Sequence, residues 1–375
     1  MAGSSICEQV DFDLHGFVGI RLIDAAPSDV AAVRRQLGLP AVELGRTPDI
    51  VCRFVDRLAL HGTLRRIGRD EAGFTDDAYL ILRARHKSRA RVQMPMADVG
   101  SRCEIVCERG VSAVPLLIAV IAVTALAKGY APLHATAFTY DGLGVLVTGW
   151  TKGGKTETLL AFMEHGARYI GDEWIYVSPD GSRMFGIPEP MRIWEYQLAA
   201  IPSYRSATSG RERLRLASLM TGVRAGAAAG AATRRTPLGG LLRRGVPILE
   251  QQTWVQIPPS RLFGPDRCDL AGPLDRVVFG QTTEDESVTV EPVDVDYVAR
   301  RAAVSVEFEL GDLLRHYQRF RFAFPEGTNP LLDSIRTRSL EVTRNALRGK
   351  GAFILHHPFP SPIPSIYAEL QPCLR

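Results

Sequence analysis

The chain has 375 residues, 46% of them hydrophobic and 23% charged, with a formal net charge of +4. That is the balance of a globular protein long enough for two or three domains, and so small a net charge gives no case for a nucleic-acid or membrane partner. The basic residues are uneven in kind: five are Lys and forty Arg, and two of the five, Lys152 and Lys155, share one eight-residue segment.

From His15 to about Val106, strand-like runs (FVGIRLID, IVCRFVD, AYLILRAR, ARVQMPM) and one helix after Pro27-Ser28-Asp29 predict a small α+β N-terminal domain over residues 1–110. Its last two runs flank His86-Lys87-Ser88 as a hairpin. Val111 to Ala127 is nearly apolar, about 17 residues, at the lower limit for a bilayer span. Pro115 near its start and the lack of a flanking basic cluster make it a buried helix.

A second unit, residues 111–305, opens with the strand HATAFTY, a turn at Asp141-Gly142-Leu143-Gly144 and the apolar run GVLVTG. A Gly-rich loop follows, then TETLLAFMEHG with helical spacing, then a strand, ARYIGDEWIYVSPDG, broken at Gly171-Asp172-Glu173. Residues 205–245 carry nine Arg and one Glu among Gly and Ala runs, which predicts a mobile segment. It reads as a solvated loop, a lid, or a docking surface for an acidic partner. WVQIPP and LDRVVFG then read as strands. Residues 306–375 predict two or three helices and a short strand, GAFILHHP, whose His356 and His357 read as structural.

The six cysteines are scattered without zinc-ligand spacing, and the first residues carry charges where a secretory signal needs an apolar core. Both point to a cytoplasmic protein with reduced thiols.

Gly149-Trp150-Thr151-Lys152-Gly153-Gly154-Lys155-Thr156 fits G-x-x-x-x-G-K-[ST], a Walker A or P-loop pattern. Its glycines let successive backbone N–H groups face phosphate oxygens, Lys155 reaches the β- and γ-phosphates, and Thr156 supplies a hydroxyl to Mg²⁺. With this composition a chance match is expected in roughly one of two hundred such chains, and placement between a strand and a helix lowers that further.

Around the loop stand His134, fifteen residues before Gly149, Glu157 directly after Thr156, and Asp172-Glu173 seventeen residues after Lys155. The stretch HATAFTYDGLGVLVTGWTKGGKTETLLAFMEHGARYIGDEW resembles the catalytic core of the HPr kinase/phosphorylase family over about forty residues. The resemblance implies a P-loop α/β core of the HPr kinase and phosphoenolpyruvate carboxykinase type. It implies Asp172 as the base that takes the acceptor's proton, Thr156 as a Mg²⁺ ligand and His134 as an active-site histidine. Glu173 stands where the family has a second Asp and reads as a metal ligand beside Thr156.

The family's downstream Arg-Gly-Leu-Gly signature has no match in MFGIPEPMRIWEYQL, which leaves Glu189 and Glu195 as alternatives for its metal-binding Glu. The resemblance also implies a catalytic Arg on a mobile loop, with Arg234, Arg235, Arg243 and Arg244 as candidates. The expected function is therefore an ATP- and Mg²⁺-dependent kinase acting on a hydroxyl of a peptide, protein or small molecule. A nucleotide-responsive regulatory module without transfer is the alternative, and a carboxykinase-like enzyme a third. Reverse phosphorylase activity and homo-oligomerisation are left open.

Overall fold

A computed structural model describes residues 7–68, 71–83, 89–232 and 252–375. It is a mixed α/β structure with two large mixed sheets. The predicted turn at His86-Lys87-Ser88 and the candidates Arg234, Arg235, Arg243 and Arg244 lie outside the described residues.

The first sheet comprises β1 (Cys7–Leu14), β2 (Val18–Ala25), β3 (Ile50–Val55), β4 (Arg65–Ile67), β5 (Ala72–Phe74), β6 (Tyr79–Arg83), β7 (Arg89–Gln93) and β8 (Cys103–Glu108). Their order is β1-β2-β3-β8-β7-β6-β5-β4, with β2, β3 and β8 parallel. Period-two burial sets the register: in β8, Cys103, Ile105 and Cys107 are buried while Glu104 is exposed. The helix Pro27–Leu37 follows β2, as the Pro-Ser-Asp start signal predicts.

The second sheet holds β9 (Ala131–Tyr140), β10 (Leu143–Gly149), β11 (Arg168–Gly171), β12 (Trp174–Val177) and β13 (Arg183–Gly186). After a separate two-stranded ribbon of β14 (Met191–Trp194) and β15 (Trp254–Ile257), it adds β16 (Ala271–Pro273), β17 (Arg276–Thr282), β18 (Thr289–Pro292) and β19 (Gly351–His357). Three strands, β10, β17 and β19, run parallel side by side. Parallel neighbours buried on both faces favour unbroken apolar runs, which is how GVLVTG and DRVVFG read. Alternate residues of β10 serve opposite faces: Leu146 joins the core shared with the first sheet, while Val145 and Val147 pack under the loop helix Lys155–Glu164.

The apolar segment forms the helix Leu117–Ala127, with eight of its residues buried between the two sheets. Among the described residues, no helix is long and apolar enough to cross a membrane. Ile121 is fully buried there. Ile121→Ala should lower stability by about 2–5 kcal/mol, read as a shifted midpoint in chemical denaturation.

Two regions differ from the expectation. In the segment predicted to be mobile, Gly210–Ala232 is a helix. Ser209 and Glu212 close a capping box at its start, with Ser209 N donating to Glu212 Oε2 (2.6 Å) and Glu212 N donating to Ser209 Oγ (3.2 Å). Leu216 and Val223 are buried beneath it. Towards the end of the chain, β19 is an interior strand of the second sheet rather than an addition to a helical region, and the helix Val295–Glu309 runs across the boundary expected at residue 305. Its buried Val298, Ala299, Ala302, Ala303 and Val306 recur every three to four residues, so its apolar stripe lies on the sheet and its last residue reaches the end of β10.

Candidate active site

The Gly-rich loop leaves the end of β10, where Gly149 stands in register with Gly280 of β17. Backbone meets backbone here: a Cβ at Gly280 would lie 2.0 Å from Gly153 O, and one at Gly149 would lie 2.5 Å from Gly280 O. Gly280 was not singled out from the sequence. Gly280→Ala should push the loop out of place at about 1–3 kcal/mol of overpacking, read as a lowered midpoint in chemical denaturation.

Gly154, at φ 78, turns the chain into the loop helix, and a Cβ there would lie 2.3 Å from His357 Nε2. His357 closes β19 and is fully buried, with Nδ1 3.1 Å from Ser361 Oγ and 2.9 Å from Pro358 O. Its place is against the loop. Only the pairing of β19 with β17 reveals that.

Lys155 is 7% exposed and its Nζ donates to Trp150 O (2.9 Å) and Gly149 O (3.5 Å). Burial lowers its pKa, an effect the carboxylates of Glu173, Asp172, Glu309 and Glu157 partly offset. Thr156 Oγ1 lies 3.3 and 3.2 Å from the two carboxyl oxygens of Asp172. Asp172 is buried, and its pKa is pushed up to about 7 by burial and by the charge of Glu173, against the pull of Lys155, Thr156 and His134.

His134, on β9, is buried between two carboxylates. Its Nε2 lies 3.2 Å from Glu173 Oε2, and its Nδ1 lies 3.0 Å from Glu309 Oε1, an ion-pair distance without hydrogen-bond alignment. Burial lowers its pKa, but the two carboxylates outweigh burial and leave it raised. Burial likewise works against ionising Glu173 and Glu309, yet His134 holds both below their ordinary value. Glu309 also accepts from Thr151 Oγ1 (2.9 Å), so it ties the loop to the histidine. Sequence reasoning missed Glu309, which lies 158 residues beyond Thr151.

The structure thus brings together Lys155, Thr156, Asp172, His134 and Glu173. Thr156 meets Asp172, while Glu173, at φ 73, turns to His134. Glu157 accepts from Tyr196 OH and from Gln197 Nε2 (2.8 Å), so it joins the loop helix to the short helix Glu195–Ala200. Of the two alternatives for a further metal ligand, Glu195 ion-pairs with Arg205 (2.7 Å), and Glu189 follows Pro188, whose backbone packs against Gly38. Trp150 and Lys152 are exposed on the loop, with the Trp150 ring 4.7 Å from that of Phe308.

No protein-family model matches the chain, and a search of curated proteins found no match. Among solved structures, the HPr(Ser) kinase/phosphatase from Coxiella burnetii aligns with 52% of this chain and 94% of that chain, at 12% identity and a TM-score of 0.18. So low a score leaves the functional reading to the site's own geometry.

Proposed function

We propose that the chain is an ATP-dependent kinase that transfers a γ-phosphoryl group to a hydroxyl. One observation carries this reading: Thr156 of the Gly-rich loop meets a buried carboxyl, Asp172, which also feels the charge of Lys155, with His134 held between Glu173 and Glu309 beside them. Charge neutralisation and positioning supply most of the catalysis in phosphoryl transfer, and these groups do both.

In this mechanism the loop's N–H groups and the helix start hold the phosphates. Lys155 exchanges the loop carbonyls for phosphate oxygens. Asp172 accepts the proton of the acceptor hydroxyl as its oxygen bonds to the γ-phosphorus and the bond to the β–γ bridging oxygen breaks, so that ADP leaves. The two carboxylates beside His134 raise its pKa, which favours a cation against the charge that develops. Thr156 and Glu173, whose side chain is half exposed, present hard oxygen donors that would hold Mg²⁺, and the ion when bound would offset phosphate charge.

The test supplies purified protein with Mg²⁺ and ATP, then serine peptides, proteins, sugars, nucleosides and amino acids as acceptors, and reads ADP. Acceptor-dependent ADP release with at least one class is expected. ATP binding with no such release from any class would replace this reading with a nucleotide-responsive module.

A further inference from the structure

The helix Gly210–Ala232 carries a cationic face that phosphoryl transfer does not use. Arg215 is committed to the body of the protein, donating to Trp254 O (3.1 Å) and Gln252 O (3.0 Å). Arg213 and Arg224 are exposed, and no ion pair or side-chain hydrogen bond engages either among the described residues. With Arg205, Leu198, Thr208 and Met220 they line an open cavity of about 410 Å³ between this helix and Glu195–Ala200. Glu195, also on the wall, is already neutralised by Arg205 (2.7 Å), so the cavity is left with the positive charge of Arg213 and Arg224.

Dimensions and charge choose the occupant. Arg213 and Arg224 stand eleven positions apart, roughly 16 Å along the axis at about 1.5 Å per residue. One small anion cannot reach both. An extended peptide covers that distance in about five residues, at about 3.3 Å each. Residues 233–251, next in the chain, carry four Arg and one Glu, which excludes them as the complement by charge.

We propose that this face docks an extended acidic peptide segment of a partner protein, with carboxylates at Arg213 and Arg224 and an apolar side chain on Met220 and Leu198 between them. Arginine pairs with carboxylates through two parallel hydrogen bonds, which gives the contact geometry as well as charge. The docking requires neither ATP nor Asp172, so it stands or falls separately from the kinase reading.

The test is fluorescence anisotropy on the full chain with a labelled pentapeptide bearing Asp at both ends and Leu at its centre, three positions that share one face of an extended chain. Binding at low salt is expected, weakened by about tenfold or more in Arg213→Glu and in Arg224→Glu and by only about twofold or less in Arg211→Glu, which reverses a charge outside the cavity. Arg213→Gln and Arg224→Gln, with thermal denaturation of each variant, separate loss of docking from loss of fold. Absence of binding, an equal loss in Arg211→Glu, equal binding of an isomeric peptide with its two Asp adjacent, or preferential capture by phosphatidylserine vesicles would each overturn the proposal.

Discussion

Lys155→Ala is expected to cut ATP turnover by on the order of 10²–10³-fold, the usual loss when one preorganised charge-stabilising group is deleted. The side chain is 7% exposed, and among the described residues its only hydrogen bonds are to loop carbonyls, so in the resting protein it is a group held ready rather than a structural pin. Burial already lowers its pKa, and the surrounding carboxylates partly offset that effect. An incoming phosphate outbids two neutral carbonyls, because charge-assisted hydrogen bonds are about twice as strong. Lys152→Ala is the control, since that residue is exposed at φ 64 on the same loop. Comparable ATP affinity and turnover in wild type and Lys155→Ala would sink the proposed site.

Asp172→Asn should retain ATP binding and lose transfer by about 10²–10⁴-fold, because only the proton acceptor is removed. The pH dependence has a definite sign. The base works deprotonated, so kcat/KM of the wild type should rise with pH through about 7, where burial and the charge of Glu173 have moved the Asp172 carboxyl from its ordinary 3.8. Because Asp172 and Glu173 interact, the observed limb belongs to the pair. Stability moves the other way. Below 3.8 the carboxyl is protonated whether the chain is folded or not; between 3.8 and about 7 the unfolded chain ionises while the folded one keeps its proton. Stability from this group is therefore lost as pH rises through that window. Asp172→Asn removes the penalty, so its Tm relative to wild type should be higher at pH 8 than at pH 4. A variant with unchanged transfer and no pH-dependent difference in Tm would refute the assignment.

How much of this was legible before any coordinates depends on range. The loop and its flanking elements are local, so the Gly-rich run, the β10 strand and the helix from Lys155 could be read directly. The helix at Gly210 could also have been found, since Ser209-Gly210-Arg211-Glu212 is a capping-box pattern, but the density of Arg and Gly suggested mobility instead. Tertiary packing of Leu216 and Val223 overrode that composition. Glu309, Gly280 and His357 were beyond reach for a different reason. Each acts at the loop through strand order or a helix end, and nothing in its own neighbourhood marks it.

The position of β19 between β17 and β18 has a consequence for synthesis of the chain. The loop is translated some two hundred residues before the strand whose His357 packs against Gly154. A nascent chain that has passed Thr156 therefore carries the whole motif and lacks its floor. Sheet pairings so distant in sequence close late, after the local elements have formed. The loop should consequently settle only once residue 357 has cleared the ribosome, which makes its ordering a reporter of completed folding.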